Sequence, residues 1–424
     1  MPTLSRRSFL TGLTLGSTFY ISRRAFGQAA NDKLNIGFIG TAGQARYSLQ
    51  NLGSENFAAI CDVDENLLAK AAQDFPQAKK YTDFRRLLEQ KELDAVVIAT
   101  PDHTHAVATV AALQKGYHVY CEKPLTHTLS ECRAVQRAAE KAKKATQIGT
   151  QIHAGDNYRR VVELIQKEAI GAVKEVHVWV NSSYGGKKLM AEAPPVPPHL
   201  HYDLWLGPVE YRPYSPQYHP FNWRDWWAFG GGSLADFGCH YMDLPHWALG
   251  LRAPIAVETE GPERDPECPP VWLIARYEYA NPKGGAPLKL TWYHGGKKPE
   301  SLPPEIAEKW KSGVMFVGEK GELLSDYSKH LLLPQDKFEN FQRPEHFIPK
   351  SIGHHKEWVK ACKTGSPTTC NFGYSGTLTE AALLGNVAFR AGHRIEWDSK
   401  QLRATNTRQA DEFVQHHYRQ GWSL

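Results

Sequence analysis

The sequence predicts an α/β fold, with a doubly wound parallel sheet in the first part of the chain and a second domain behind it. Three observations support this prediction. Short apolar runs alternate with helical segments from Leu34 to Gly149, which is typical of successive β-α-β units. A glycine-rich turn follows the first apolar run, and an acidic residue follows the second. From Asp156 onward the alternation stops.

The glycine-rich turn lies between a strand predicted over 34–40 and a helix predicted over 44–52. In dinucleotide-binding folds the backbone amides of this turn face the pyrophosphate of the ligand. The three glycine positions of the usual fingerprint fall on Gly40, Ala42 and Ala45, so two of them are alanine. The turn alone is therefore a weak indication of nucleotide binding.

Asp62, at the end of the second apolar run (57–61), strengthens that indication. An acid about 20 residues after the turn accepts hydrogen bonds from the ribose hydroxyls. Its carboxylate repels a 2′-phosphate, so we expect NAD rather than NADP. The alternative is that Asp62 only caps the helix predicted over 64–74.

Two later strands also end in residues suited to a bound cofactor. A strand over 94–100 ends at Thr100-Pro101, and a strand over 117–121 leads into Glu122-Lys123. Ligands of doubly wound sheets bind at the carboxyl ends of the strands. These residues are therefore expected to face one cleft together with Asp62. Helices reaching 115 and spanning 130–144, and a strand over 146–149, complete this part of the chain.

A helix predicted over 233–249, with Ser233 as its N-cap, carries Asp236 and His240 one turn apart on one face. A carboxylate and an imidazole placed this way suit proton transfer from a carbinol, while hydride leaves the same carbon. Lys123 could stabilise the developing alkoxide or tune the pKa of the histidine. The alternative is a structural Asp–His pair at a buried helix end.

Tryptophan and tyrosine are enriched in the stretch before that helix, over 201–227, which holds four of the 12 tryptophans and four of the 18 tyrosines of the chain. Aromatic faces pack against sugar rings, and polar neighbours bond the hydroxyls. Trp223, Arg224 and His219 are expected to face a substrate pocket, and His294 to reach it from another strand. The alternative for this stretch is a hydrophobic core or an oligomer interface.

The remaining elements are predicted from periodicity alone: helices over 157–168, 354–363 and 374–391, and strands over 173–182, 271–279, 288–293, 314–318 and 321–326. The last two strands should form a hairpin, and the last two helices should return to the first sheet. The tail beyond Asp398 is polar and is expected to wrap a neighbour. The seven cysteines have no metal-binding spacing, so we expect buried thiols and no metal; a Cys362–Cys370 bridge is the alternative.

The formal net charge of +5 belongs to the start of the chain. Residues 1–29 hold four arginines and no acid, and the remainder has 46 basic and 45 acidic residues. A nucleic-acid partner is therefore not expected.

The start of the chain has the pattern of an export signal. Arg6-Arg7 followed by an apolar stretch over 11–21 and Gly27-Gln28-Ala29 is typical of a removable twin-arginine signal. The stretch is too short to span a bilayer, which disfavours an anchor. We expect a periplasmic or secreted protein with no membrane insertion after processing.

Taken together, these residues resemble the Gfo/Idh/MocA family of sugar and inositol oxidoreductases, in an exported branch. The match runs through Gly37-x-x-Gly40, Asp62, Ala99-Thr100-Pro101-x-x-x-His105, Glu122-Lys123-Pro124 and Asp236-x-x-x-His240. The resemblance implies a Rossmann domain followed by an α+β domain with an open, mostly antiparallel sheet. It also implies NAD along the strand ends, and a homo-oligomer, dimer or tetramer.

The resemblance further implies roles for individual residues. Lys123, Asp236 and His240 would serve catalysis. The cofactor would contact Gly37, Gly40, Thr41, Ala42, Asp62, Thr100, Pro101, His105, Glu122, Lys123 and Gln151. Apart from the resemblance, the residues expected to contact the substrate are Tyr158, His219, Trp223, Arg224 and His294, and the alternative for His294 is a structural role. The expected division is a signal peptide over 1–29, the Rossmann domain over 33–152, the substrate and oligomerisation domain over 153–350, returning helices over 351–398 and a tail over 399–424.

Three functions remain open on the sequence. The first is an NAD-dependent oxidoreductase acting on a sugar, polyol or glycoside, with a tightly bound cofactor because an exported enzyme cannot exchange soluble NAD with the cell. The second is a redox-neutral NAD-dependent glycosidase, or an eliminating enzyme on a 3-keto sugar, with a tyrosine base among Tyr158, Tyr184 and Tyr241. The third is a sugar-binding protein without catalysis.

Overall fold

The computed structural model describes residues 33–281 and 284–424. The predicted signal residues over 1–29 lie outside the described residues. Within those two ranges the strands form two sheets, one of six strands and one of nine. Each sheet positions one side of the candidate site described below.

The first sheet is entirely parallel, in the order β3-β2-β1-β4-β5-β6, which confirms the doubly wound prediction. Its strands are β1 (Asn35–Ile39), β2 (Asn56–Cys61), β3 (Lys79–Tyr81), β4 (Ala95–Ile98), β5 (His118–Cys121) and β6 (Thr146–Ile148). The associated helices are α1 (Ala45–Asn51), α2 (Glu65–Asp74), α3 (Phe84–Leu87), α4 (His105–Gln114) and α5 (Leu129–Ala142). The strand order reverses between β1 and β4, which opens a crevice at their carboxyl ends.

Burial on both faces explains why the strands of this sheet read as apolar runs. The side chains of β4 are all buried, and so are those of β1 after Asn35. Gly37 in β1 leaves room for helix α3, because a Cβ there would crowd the Leu87 side chain. The edge strand β3 was not predicted, since its sequence Lys79-Lys80-Tyr81 has no apolar run.

The second sheet is open and mostly antiparallel, in the order β13-β12-β11-β7-β10-β9-β8-β14-β15. Among the described strands of this sheet, only the β7–β10 pair is parallel. The resemblance to the Gfo/Idh/MocA family implied this arrangement. The strands are β7 (Val173–Val180), β8 (Ala256–Glu260), β9 (Leu273–Tyr279), β10 (Leu288–His294), β11 (Gly313–Gly318), β12 (Glu322–Ser325), β13 (His330–Leu333), β14 (Ile395–Asp398) and β15 (Arg403–Ala404).

The helices of this half are α6 (Asp156–Gln166), α7 (Tyr202–Leu206), α8 (Gly232–Tyr241), α9 (Asp243–Leu249), α10 (Pro304–Lys309), α11 (Gln335–Phe338), α12 (His354–Thr364), α13 (Phe372–Ala391) and α14 (Asp411–Val414). One face of the second sheet shares an apolar core with α6, α8, α9 and α13. Val176 and Val178 of β7 point into that core, while His177 points to the other face beside Tyr293. The expected dimer or tetramer stays a prediction.

The helix predicted over 233–249 is two helices, α8 and α9, which meet at Met242. Pro245 explains the break, because it has no amide hydrogen to donate to the Tyr241 carbonyl. Ser233 is not the N-cap, since α8 begins at Gly232. The Ser233 hydroxyl instead accepts a hydrogen bond from the Tyr184 amide at 3.0 Å.

Helices α12 and α13 return to the first sheet. Trp358 of α12 is fully buried with Leu34, Ile36 and Tyr120, and Phe372 of α13 lies in the core on the opposite face of that sheet. The tail over 399–424 was expected to wrap a neighbour. In the structure it lies against its own chain, as the hydrogen bonds of Arg419 to Asp203 show.

The cysteines, the possible metal ligands and the helices of residues 33–281 and 284–424 bear on three further predictions. All seven cysteines fall in these ranges, each is buried, and no two of them are bonded there. Over the same ranges no group of three or more His, Cys, Asp and Glu side chains is arranged to hold a metal ion. No helix found there is sufficiently long and apolar to cross a membrane.

Trp358→Ala should lower the free energy of unfolding by about 3–5 kcal/mol, because it opens a cavity in the core between α12 and the first sheet. Trp358→Phe is the matched control. It keeps an aromatic ring and loses only an indole N–H that finds no hydrogen-bond partner among the described residues, so its cost should be much smaller. Urea denaturation measures both changes. Equal losses for the two variants would contradict this account of the packing.

Candidate active site

A cleft of about 580 Å³ opens at the carboxyl ends of the strands of the first sheet, within the size range of small-molecule sites. Its walls combine the first sheet, the aromatic stretch of the second half and the end of the chain. The lining residues from the first sheet include Gly40–Gln44, Asp62, Thr100–Pro101 and Glu122–Lys123; those from elsewhere include Trp205, His219–Phe221, Trp223, Arg224 and Trp422.

The turn after β1 has a shape that accepts a phosphate group. Gly40 has φ +89°, and a Cβ there would overlap the Ala99 carbonyl oxygen. Gly43 has φ +54°, so the positions that need glycine in this turn keep it, although the fingerprint has alanine at two places. The amides of residues 42–44 line the cleft and find no acceptor within the described chain, so they are free to bind a pyrophosphate.

Asp62 is tied to this turn. One carboxylate oxygen accepts from the amide and the hydroxyl of Thr41, at 3.0 and 2.8 Å, and the other accepts from the Asp64 amide at 3.1 Å. Burial raises the pKa of Asp62, and these hydrogen bonds partly offset the rise. The cap of α2 is Asp64, which accepts from Asn66 and Leu67. Asp62 is therefore not the helix cap that was its alternative role.

Lys123, Asp236 and Arg224 form a charged cluster where the two halves meet. The Lys123 ammonium donates to Asp236 Oδ1 at 2.5 Å and to the Asp236 carbonyl at 3.0 Å, and Arg224 Nε donates to the same Oδ1 at 2.9 Å. Burial disfavours the Asp236 charge, but the two cations hold its pKa well below the usual range. The cluster thus joins the end of β5 to helix α8.

His240 follows Asp236 by one turn of α8. Burial, followed by the positive charge of Lys123, lowers the pKa of His240 to about 3, so its imidazole is neutral at neutral pH. Its Nδ1 has no hydrogen-bond partner in the part of the chain that is described. A neutral ring has a lone pair for a proton, but the low pKa makes it a weak base as long as the charge of Lys123 is not neutralised. Tyr158, predicted to contact substrate, is buried and donates its hydroxyl to the His240 carbonyl at 3.3 Å, so it supports the helix instead.

Glu122 lies in the cleft wall with Gln151 behind it. The Gln151 amide donates to Glu122 Oε1 and to the Tyr120 hydroxyl, both at 3.0 Å. The other Glu122 oxygen is buried and meets no donor among residues 33–281 and 284–424. Burial raises the pKa of Glu122 to about 8, against the partial opposition of Lys123. Gln151 thus positions Glu122 and does not itself line the cleft.

Other predicted site residues do not line the cleft either, and they include the catalytic candidates Asp236 and His240. Gly37 is inside β1, where it packs against α3. His105 is buried and bridges the carbonyls of Thr100 and Pro124, at 2.8 and 2.7 Å, so it links the two strand ends from behind. His294 is buried with one ring nitrogen against Trp292 Nε1 and the other against the Pro270 carbonyl, so both nitrogens have structural partners.

The comparison with known protein families agrees with this geometry. The family model of the Gfo/Idh/MocA oxidoreductases with an NAD-binding Rossmann fold matches residues 34–150, and the model of their C-terminal α/β domain matches residues 165–298. The two matches cover more than half of the chain. The chain belongs to the Gfo/Idh/MocA oxidoreductase family. Its first domain is accordingly an NAD-binding Rossmann domain, which confirms NAD as the expected cofactor.

Individual relatives of this Gfo/Idh/MocA protein match about a third of its length. Inositol 2-dehydrogenase of Salmonella typhimurium is 32% identical over 146 residues, 34% of this chain and 43% of the relative. A glycosyl hydrolase family 109 protein of Shewanella putrefaciens is 26% identical over 152 residues, 33% of each protein. The chain therefore spans less than half the length of these curated relatives.

A solved structure shows the same fold over most of the chain. GenD2 from gentamicin A biosynthesis, in complex with NAD, superposes with a TM-score of 0.62 at 19% identity. The superposition covers 88% of this chain and 99% of GenD2. At this identity the likeness shows the fold and nothing finer.

Most of the aromatic stretch in this Gfo/Idh/MocA protein is core, which was one of its two predicted roles. Trp205, Tyr218, Trp226 and Phe229 pack together with almost no exposure. The smaller share that reaches the cleft includes Trp223, on whose ring the Arg224 guanidinium stacks at 4.1 Å, and His219, which lies 3.8 Å from Asp64.

Several residues that line the cleft were not predicted from the sequence. Asp102, just after Pro101, lines the cleft, and its Oδ1 meets no donor in the described chain. Burial, partly offset by Arg224, raises its pKa. Its place in the turn after β4 could have identified it. Phe84 and Trp422 also line the cleft, but Trp422 is at the end of the chain and no local pattern indicates it.

The raised pKa of Glu122 predicts a pH-dependent stability. Between the ordinary value of 4.5 and about 8, the folded protein keeps a proton that the unfolded chain has released. This contribution to stability is complete below pH 4.5 and is lost as pH rises through about 8. As pH rises across this window, the free energy of unfolding of Glu122→Gln should therefore increase relative to that of wild type, by at most about 1.4 kcal/mol per pH unit.

Urea denaturation of nucleotide-free wild-type protein and Glu122→Gln, at several pH values across the window, measures this difference. Glu300→Gln, at an exposed position away from the cleft, is the matched control and should track wild type. A wild-type-to-Glu122→Gln difference that stays constant across the window would show that Glu122 is ionised throughout.

Proposed function

We propose that the protein is an NAD-dependent oxidoreductase that moves a hydride between a tightly bound nicotinamide cofactor and a carbinol carbon of a sugar, polyol or glycoside. The observation that carries this proposal is the Lys123–Asp236–Arg224 cluster, of which Lys123 and Arg224 line the cofactor cleft. The similarity to inositol 2-dehydrogenase over about a third of the chain supports a polyhydroxylated substrate.

Bound NAD would supply the hydride acceptor. The turn after β1 offers three free amides to the pyrophosphate, and Asp62 offers carboxylate lone pairs to the adenosine ribose. The Asp62 carboxylate also disfavours a 2′-phosphate, which supports NAD over NADP.

The chain's own groups handle the substrate oxygen and its proton. The Lys123 ammonium, held by Asp236, can donate to the carbinol oxygen and stabilise it as negative charge develops. The neutral His240 ring, one turn from Asp236, can accept the hydroxyl proton. Arg224 fixes the Asp236 carboxylate from the other side and orients it towards Lys123.

Lys123→Ala should lower kcat by about 10²- to 10³-fold, because it removes the donor to the developing alkoxide. His240→Ala should lower kcat by about 10²- to 10⁴-fold, because it removes the proton acceptor. Lys297→Ala and His393→Ala, at exposed positions away from the cleft, are matched controls and should retain wild-type rates.

The test begins with the purified folded protein, from which nicotinamide is extracted by denaturation and identified. The protein is then incubated with sugars, polyols and aryl glycosides without added NAD, and the absorbance of reduced nicotinamide is followed. Reduction by one of these compounds supports the proposal. A protein that carries no nucleotide and binds no added NAD would refute it, and full turnover by Lys123→Ala would refute the assignment of roles.

A redox-neutral glycosidase is the second candidate, and one observation favours it. Tyr184 lies against the charged cluster, where burial and the Asp236 carboxylate raise the pKa of its phenol. A phenol there could move a proton at the carbon next to the oxidised one. The similarity to a glycosyl hydrolase family 109 protein is consistent with this candidate. Release of the aglycone from an aryl glycoside without net reduction of the cofactor would distinguish it from the dehydrogenase.

We also propose that the protein is exported by the twin-arginine route, on the basis of Arg6-Arg7 and the apolar stretch that follows. Replacing both residues by lysine keeps the charge but should abolish export and leave the precursor in the cytoplasm. Fractionation of a bacterium with an active twin-arginine system measures this. Replacing Arg23 and Arg24 by lysine is the matched control and should leave export intact. Undiminished export of the Arg6/Arg7 variant would refute the proposal.

A further inference from the structure

Residues 416–422, close to the C-terminus, extend along the protein surface to the cofactor cleft. We call this segment the C-terminal arm. Two contacts hold the start of the arm. The Tyr418 hydroxyl donates to a carboxylate oxygen of the buried Glu131 at 2.6 Å, and the His416 ring lies 3.0 Å from a ring nitrogen of His127. The arm is therefore part of the fold.

Arg419 holds the middle of the arm against the loop after α7. Its amide donates to the Pro208 carbonyl at 3.1 Å, its Nε to the Gly207 carbonyl at 2.6 Å, and its Nη1 to the Asp203 carboxylate at 2.5 Å. The Trp422 amide in turn donates to the Arg419 carbonyl at 3.3 Å. This turn carries the indole ring to the wall of the cleft.

Trp422 completes an aromatic wall with residues that follow β3. Its ring centroid lies 6.0 Å from that of Phe84, and the Arg85 guanidinium stacks on the indole at 4.9 Å. Asp83 holds that guanidinium through hydrogen bonds of 2.7 and 2.9 Å. Trp422 and Phe84 both line the cleft. The wall is thus an ordered surface made from two distant parts of the chain.

The order of groups along the cleft indicates which part of the cofactor this wall meets. The turn offers the amides of residues 42–44 to the pyrophosphate, and Asp62 offers its carboxylate to the adenosine ribose. The cleft continues past Asp62 to Thr82 and Phe84, at the end of β3. The adenine base extends from that ribose, away from the nicotinamide and from Lys123.

We infer that Trp422 is a cofactor-binding residue, and that the C-terminal arm encloses the adenine end of NAD and slows its dissociation. This inference rests on the proposed function, since it assumes that the cleft binds NAD. An indole beside a purine offers stacking area without a need for sequence-specific hydrogen bonds. An enzyme that is exported with its cofactor benefits from such a closure, because lost NAD is not replaced outside the cell.

The test compares half-ligands. ADP-ribose carries the adenine end, and nicotinamide mononucleotide carries the other end. Trp422→Ala should raise the Kd for ADP-ribose and for NAD by about 5- to 150-fold, the range of one lost base stack. It should leave the Kd for nicotinamide mononucleotide unchanged. Titration calorimetry on the full-length protein, freed of nucleotide, gives these constants, and stopped-flow fluorescence gives the rate of NADH release, which should rise in parallel.

Three further variants sharpen the result. Trp422→Phe keeps an aromatic ring and should keep most of the affinity. Trp272→Ala is the matched control, since that indole also carries a stacked cation, Lys297 at 4.3 Å, but does not line the cleft. Arg419→Ala leaves the Trp422 ring intact and releases the arm, so it should reproduce the loss for ADP-ribose and confirm it if Trp422→Ala folds poorly.

Two outcomes overturn the inference, and they differ. Wild-type affinity for ADP-ribose in both Trp422→Ala and Arg419→Ala, with affinity lost in Asp62→Ala, would show an NAD site that the arm does not touch. In that case the proposed function stands. Failure of the wild-type protein to bind NAD, ADP-ribose or nicotinamide mononucleotide would remove the proposed function and the inference together.

Discussion

The Asp236 carboxylate is the group on which the geometry of the site depends. One of its oxygens accepts from both Lys123 and Arg224, and the three side chains come from the first sheet, from helix α8 and from the aromatic stretch. Breaking a buried ion pair by removing one partner costs about 3–5 kcal/mol, because the remaining charge has no partner. The carboxylate thus fixes the second half of the chain against the ends of the parallel strands.

The same contact sets the electrostatics of the chemistry. Asp236 holds the Lys123 side chain by two hydrogen bonds, and burial, followed by the positive charge of Lys123, lowers the pKa of His240. A hydrogen-bond donor and a neutral imidazole therefore both lie next to Asp236 in space or in sequence. The separation of roles follows from position on α8: Asp236 contacts the cation directly, and His240, one turn later, experiences it only through space.

The parts of the fold that follow from local pattern were predictable, and the parts that depend on distant contacts were not. Strands β1 and β4 are apolar because helices cover both faces, so their sequences indicate them. The edge strand β3 carries two lysines and gives no such signal. The split of the helix at Met242 required attention to Pro245, which the helical period of its neighbours obscured.

The candidate site divides in the same way. Strand ends of a parallel sheet meet at one edge, which is why Asp62, Thr100 and Lys123 could be placed together from the sequence. The sequence could not show which side chains at that edge point into the cleft. His105 and Gln151 belong to the same strand ends but point back into the protein, where they hold Thr100 and Glu122. That choice depends on packing behind the cleft, which no spacing in the sequence encodes.

Enclosure of the cofactor connects the architecture to the choice between the two proposed chemistries. The cleft is walled by the first sheet, by the aromatic stretch and by the end of the chain, so a cofactor bound as proposed would be surrounded by parts of the chain that fold together. A cofactor held this way must return to its starting oxidation state before the next turnover. A dehydrogenase needs a second substrate that enters the same cleft to achieve this, whereas a redox-neutral enzyme completes the return on one substrate. The phenol of Tyr184, beside the same charged cluster, is the group through which the two demands would differ, because only the second chemistry needs a further proton transfer at a neighbouring carbon.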